Sequence, residues 1–171
     1  GVITVADPTR IDYEASGPGH SYTVTAQASD GTLSSSQTFT IGVTNAAPST
    51  PVDGNGAANS VAEGAANGST VGVTASSTDV NGPGVTYSLI GDNSGGGFTI
   101  NATTGVVTVA DSTKIDFETL AFNGRDSYTI TVQASDGTLT STQTFAIAVT
   151  DIAPSTPVDG KRGETLARNN D

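Results

Sequence analysis

The sequence predicts an all-β chain of tandem Greek-key β-sandwich domains, and three observations predict it. The first is alternation: Tyr128, Ile130, Val132 and Ala134 interleave with Thr129, Thr131, Gln133 and Ser135. A period of two sends one set to a buried face and the other toward water. The second is punctuation, since 21 glycines and turn pairs such as Asp30-Gly31 and Asp136-Gly137 suit short strands joined by tight turns. The third is an internal repeat, in which Gly1-Val-Ile-Thr-Val-Ala-Asp7 returns as Gly105-Val-Val-Thr-Val-Ala-Asp111.

The repeat sets the organisation. Arg10-Ile-Asp-Tyr-Glu14 returns as Lys114-Ile-Asp-Phe-Glu118, and Ser21-Tyr-Thr-Val-Thr-Ala-Gln-Ala-Ser-Asp30 returns in the stretch ending at Asp136. The loop between these two stretches is two residues longer in the second copy. Pro48-Ser-Thr-Pro-Val-Asp-Gly54 and Pro154-Ser-Thr-Pro-Val-Asp-Gly160 close each copy. A period near one hundred residues is too long for a solenoid unit and fits a string of independently folded domains.

Residues 1–50 therefore read as the C-terminal half of a domain. Alone, such a half leaves sheet edges and one core face uncovered, so the expectation is a longer polypeptide or completion by another chain. Residues 51–157 read as a complete repeat. Its expected strands are Ser60–Ala62, Thr70–Ala75, Thr86–Ile90, Phe98–Ile100, Val106–Val109, Tyr128–Ala134 and Gln143–Val149. Phe98, Ile100, Val107, Val109, Tyr128, Ile130, Val132, Phe145, Ile147 and Val149 supply the expected core. Residues 158–171 break the pattern and read as the start of another domain or a mobile end.

Composition narrows the partners. Seventeen acidic residues against 6 basic ones give a formal net charge of −11. That balance argues against nucleic acid and anionic membrane surfaces, which attract basic proteins, and suits a chain that recruits cations. No apolar run approaches the ~20 residues that span a bilayer, so no membrane insertion is expected. Cysteine is absent, which removes disulfide frameworks and thiolate zinc sites.

The acidic residues are where chemistry is expected. Calcium takes about six to eight oxygen ligands from carboxylates, Asn side chains and backbone carbonyls. No short segment supplies that number, but several loops of the second repeat could pool theirs: Glu63, Asp79-Val-Asn81, Asp116-Phe-Glu118, Asp136 and Asp151. Asp116 and Glu118 read as loop residues. The bland reading of an Asp before Gly is a turn former, and it holds for Asp30, Asp53 and Asp159. Catalysis is not expected. His20 follows Gly17-Pro-Gly19 as an exposed loop residue with no serine indicated beside it. Ser94-Gly-Gly-Gly97 lacks the helix and lysine of a phosphate cradle and reads as a flexible loop. The acid pairs have no aromatic platform beside them for glycoside hydrolysis.

Val61-Ala-Glu63, Thr78-Asp-Val-Asn81, Ile115-Asp-Phe-Glu118, Ala134-Ser-Asp136 and Val149-Thr-Asp151 resemble the motifs of cadherin repeats, in the same order. Phe98-Thr-Ile-Asn-Ala-Thr-Thr-Gly-Val-Val-Thr-Val-Ala-Asp111 is similar to the cadherin-like repeats of large secreted bacterial adhesins of the RTX kind. The resemblance covers residues 1–50 as a half repeat and about 55–153 as a whole one. It implies an extracellular or cell-surface protein with calcium held between neighbouring domains. It also implies that Asp12, Glu14 and Asn45 meet Asp79, Asn81 and Asp136 at one junction, while Glu63, Asp116, Glu118 and Asp151 form half of the next. The linkers Asn45-Ala-Ala-Pro48 and Asp151-Ile-Ala-Pro154 keep only the first oxygen-bearing residue of the family's linker. Fewer carboxylates place the expected affinity near the weak end, ~10⁻⁴–10⁻³ M.

The function implied is a calcium-stiffened spacer in adhesion or biofilm, with calcium and neighbouring repeats, or other copies of the chain, as partners. Two alternatives come from other classes: direct homophilic or carbohydrate binding, and a filament in which chains complete one another by strand donation.

Overall fold

In the computed structural model, residues 1–80, 82, 84–154 and 156 are described. The expected tail over 158–171, and Asn81 of the expected ligand set, lie outside the described residues. Where the sequence alternates, the chain pairs. Strands β1 (Ser21–Ser29) and β2 (Ser34–Gly42) form a two-stranded antiparallel hairpin. The remaining strands are β3 (Val52–Asp53), β4 (Ser60–Ala62), β5 (Thr70–Ser76), β6 (Thr86–Asp92), β7 (Phe98–Ile100), β8 (Val106–Val109), β9 (Ser127–Ser135) and β10 (Thr140–Thr150). They make two four-stranded sheets, ordered β4-β10-β9-β6 and β3-β5-β8-β7. The fold is an all-β sandwich with Greek-key crossovers between layers.

The core sits between these two sheets. Every residue expected there is buried except Ile100 and Phe145, which are partly exposed and pack against it. Val61, Val71, Val73, Ala75, Tyr87, Ile115, Leu120 and Ala134 complete it. Tyr128 meets Phe98 edge-on across the layers, with ring centroids 6.0 Å apart. In β5 the register shifts between Thr70 and Thr74, where Gly72 adopts φ +84°. A Cβ at Gly72 would strike the Ala58 carbonyl, so the bulge both requires left-handed backbone and leaves no room for a side chain.

The loop reading holds for Asp116, which precedes a helix, and needs correction for Glu118. Asp116 is the N-cap of a short helix, α1 (Phe117–Phe122), and its Oδ1 accepts from Thr119 N at 2.9 Å. Glu118 lies in the first turn of α1. The loop after β6 is not slack either. Asp92 gathers it, accepting from Ser94 N, Ser94 Oγ, Gly96 N and Phe98 N.

The β1–β2 hairpin repeats the register of β9–β10. Ser21 pairs with Gly42 and Ser29 with Ser34, as Ser127 pairs with Ala148 and Ser135 with Thr140. Only the burial differs. Ile41 is 41% exposed, while Ile147 at the equivalent place is fully buried. Val2–Val5 forms no strand, whereas β8, its repeat equivalent, pairs with β5 and β7.

Candidate metal centre

The junction between the hairpin unit and the sandwich is stitched by the linker. Ser49 N donates to Thr78 O at 2.8 Å, and Thr78 N donates to Ser49 Oγ at 2.9 Å. Ser141 Oγ donates to Pro48 O at 2.5 Å, and both Pro48 and Pro51 are buried. These contacts fix the segment after β5 that carries Asp79. They also hold the linker against the start of β10, next to the turn that carries Asp136.

One carboxylate oxygen each of Glu14, Asp79 and Asp136 lies within 4.8 Å of the others. Among the described residues Asp136 is the most buried acid, 9% exposed. Its Oδ1 accepts from Thr138 N and Leu139 N at 2.6 Å each, and its Oδ2 accepts from Asn45 Nδ2 at 3.1 Å. Burial pushes its carboxyl up, but the N–H donors of Leu139, Thr138 and Asn45 outweigh it and hold the pKa below the ordinary value. Asp12 is not one of the three. Its Oδ1 accepts from Ala15 N at 2.8 Å and closes the turn that presents Glu14. Asn45 reaches the site through its side-chain amide, whose Nδ2 donates to Asp136 Oδ2.

A second group forms at the other end of the sandwich. Glu63, Asp116 and Glu118 bring carboxylate oxygens within 4.8 Å of one another. Glu63 Oε1 accepts from Ile152 N at 2.8 Å and Oε2 from Phe117 N at 3.3 Å, tying β4 to the chain after β10 and to α1. The Ile152 N–H, with Phe117 helping, keeps the Glu63 pKa low, and the Thr119 N–H and hydroxyl do the same for Asp116. The Glu118 backbone N–H draws that carboxyl down, yet the charge of Glu63, burial and Asp151 push it up on balance. Asp151 is pushed up by its contact with Glu63, by burial and by the Glu63 charge. Strand β10 joins the two groups, and its eleven residues span roughly 35 Å at ~3.3 Å per residue.

Like charges at this range repel, and a divalent cation reverses the sign. The first group fits such an ion on independent grounds. Glu14 Oε1 and Asp79 Oδ2 are buried and have no hydrogen-bond partner among the described residues. All the donors are hard oxygens, the class that calcium and magnesium take. Gly82 also serves the site, because a Cβ there would lie 2.5 Å from Asp79 Oδ2. The sequence reading missed Gly82, although its place directly after Asp79-Val-Asn81 was the available signal.

His20 is not the exposed residue expected. It is half-buried at φ 42°, stacked on Tyr13 with ring centroids 3.7 Å apart. Among the described residues, no helix is long and apolar enough to cross a membrane.

The family model of the cadherin domain matches residues 58–150. Among solved structures, Drosophila N-cadherin EC1-3 superposes with a TM-score of 0.54 at 20% identity, over 84% of this chain and 47% of that one. Human protocadherin-24 EC1-2 gives 0.49 at 21% identity, over 83% and 69%, and protocadherin gamma B7 domains 1-4 give 0.49 at 25%, over 82% and 34%. The chain thus spans about half the length of the Drosophila structure. No curated protein matches it.

Proposed function

The chain belongs to the cadherin domain family, and from that premise we propose that it is a calcium-binding structural repeat of a bacterial surface or secreted adhesin. In this reading it is a stiffened extracellular spacer that holds a binding domain away from the cell. The observation that carries the proposal is the Glu14, Asp79 and Asp136 group with its two unpartnered buried oxygens. These oxygens come from both sides of a linker, so an ion held by them ties the hairpin unit to the sandwich.

Glu14, Asp79 and Asp136 would hold the ion, with Asp12, Asn45 and Asn81 as further oxygen sources nearby in the chain. Glu63, Asp116, Glu118 and Asp151 would hold the next one, shared with a following domain. Bound calcium supplies charge neutralisation and fixed oxygen geometry. It binds best when the neighbours are aligned, so binding shifts the population toward the straight state. The bacterial adhesin context draws its support from the wording of residues 98–111, and no catalysis enters the proposal.

The same reading makes residues 1–50 the C-terminal half of a repeat and 51–157 a whole repeat, with 158–171 as the start of the next domain or a mobile end. The copied register of β1–β2, together with its exposed inward face, supports the reading of residues 1–50. A layer patterned like residues 58–100 would cover that face.

Small-angle scattering on the chain with calcium and with a chelator tests the spacer mechanism. The expected result is a longer, narrower distance distribution with calcium. An envelope that does not change would overturn it.

A further inference from the structure

Three Asn-Gly pairs lie wholly among the described residues: Asn55-Gly56, Asn67-Gly68 and Asn123-Gly124. All six residues are exposed. In such a pair the glycine nitrogen can attack the preceding side-chain amide, because no Cβ hinders the approach. Hydrogen bonding separates the three. Gly68 N donates to Val109 O at 2.8 Å, and Gly124 N donates to Ala121 O at 3.0 Å. Each of those nitrogens must leave a partner before it can react. Gly56 N has no partner among the described residues.

The Asn55 side chain is also turned toward reaction. Its Oδ1 accepts from Ala57 N at 2.8 Å, an Asx turn that folds the amide back over the Gly56 peptide. That bond polarises the side-chain carbonyl as a nucleophile approaches. Asn67 Oδ1 likewise accepts from Ser112 N at 2.9 Å, and Asn123 Nδ2 donates to Thr119 O at 2.7 Å as Asn55 Nδ2 does to Thr74, so it is the unengaged Gly56 N that sets Asn55 apart.

We propose that Asn55-Gly56 is a built-in deamidation site, at which the folded chain converts itself to aspartyl and isoaspartyl forms without an enzyme. Gly56 N loses its proton to solvent base and bonds to Asn55 Cγ. The bond from Cγ to Nδ2 then breaks, and ammonia leaves with a proton taken from water. One water molecule opens the resulting succinimide at either carbonyl. Water enters, ammonia departs, and nothing is oxidised or reduced.

The product changes the junction. Asn55 Nδ2 donates to Thr74 Oγ1 at 2.8 Å, and Asn55 N donates to Asp53 Oδ1 at 3.2 Å. Conversion removes the amide donor and sets a new carboxylate beside Asp53. The isoaspartyl form also adds a methylene to the backbone. Residues 54–57 brace β3 against β5, with Gly54 N donating to Thr74 O at 2.7 Å. The change therefore loosens the strand that directly follows buried Pro51, slowly and irreversibly.

The test incubates the full chain in mildly alkaline buffer at physiological temperature, once native and once in denaturant. Peptide mapping scores each site by a gain of about one mass unit, and isoaspartyl methyltransferase labelling marks the isomer. In the native chain Asn55 is expected to convert several-fold faster than Asn67 and Asn123, and in denaturant the three rates should converge. A native Asn55 no faster than the other two overturns the proposal. Gly56→Ala should slow Asn55 several-fold and leave Asn67 and Asn123 unchanged, so an unaltered rate at Asn55 would exclude attack by Gly56 N. Faster hydrogen exchange across residues 52–57 in the aged chain is the expected consequence, and unchanged exchange would sink the loosening.

Discussion

Asp79 and Asp136 bring the same charge into one cluster but are held in different ways. Asp136 accepts from three N–H donors, and Asp79 Oδ2 accepts from none among the described residues. Their variants should therefore part company once the cation is removed. In chelator, Asp79→Asn relieves like-charge repulsion and should hold or raise the melting temperature. Asp136→Ala orphans the Thr138 and Leu139 amides and should cost ~1 kcal/mol or more. In calcium titrations both variants should weaken binding by about tenfold or more, since affinity follows the number of carboxylate ligands. Parallel melting shifts in chelator would show that the two acids are not held differently. At this scale the acids were legible from sequence because their motif order is specific. Gly82 had only its place after Asp79-Val-Asn81 to mark it, and Asp92 was not legible, since it acts on backbone N–H groups that only the folded loop brings near.

At the scale of elements, alternation revealed the long strands, and the short β4, β7 and β8 lie over the residues expected for them, whereas β3 and α1 were not expected. β9 and β10 carry several apolar-polar alternations each, and the expected spans lie within the observed ones. β3 has two residues, too few for any period to register. α1 has six, held by the Asp116 cap and by Leu120, its one buried residue, rather than by an amphipathic stripe. Burial was legible from the repeat, which leaves one core face of residues 1–50 uncovered, and not from the alternation of each strand. β1 and β9 share their alternation and register, yet Val24 is partly exposed where Ile130 is fully buried. Ile130→Ala should thus cost ~2–5 kcal/mol in chemical denaturation, and Val24→Ala at the equivalent place well under half of that. Equal costs would mean that the inner face of β1 is already covered in solution.

Over the whole molecule, the acids at the far end of the sandwich and in the turns include two sets with opposite pH signatures. Glu63, Asp116 and Asp136 are held below their ordinary values, as are the turn-capping Asp30 and Asp111. Their stabilisation is present above the unfolded pKa and is lost as pH falls through the folded one. Glu118 and Asp151 are raised. Their contribution is present below the unfolded pKa and is lost as pH rises through the folded one, because each is then ionised beside Glu63. In chelator and at low salt, acidifying from neutral should first raise the melting temperature as Glu118 and Asp151 protonate. Further acid should lower it as the depressed carboxylates follow, which places the maximum at a mildly acidic pH. These groups are close to solvent, so added salt should flatten the rise. Saturating calcium should remove the rise and lift the neutral-pH melting temperature, since the ion offsets the repulsion that protonation would otherwise relieve. Differential scanning calorimetry across pH, with chelator and then with calcium, measures both curves. A chelator curve that only falls from neutrality would mean that Glu63, Glu118 and Asp151 do not repel one another in solution, and the end of the sandwich would lose its argument for a second ion.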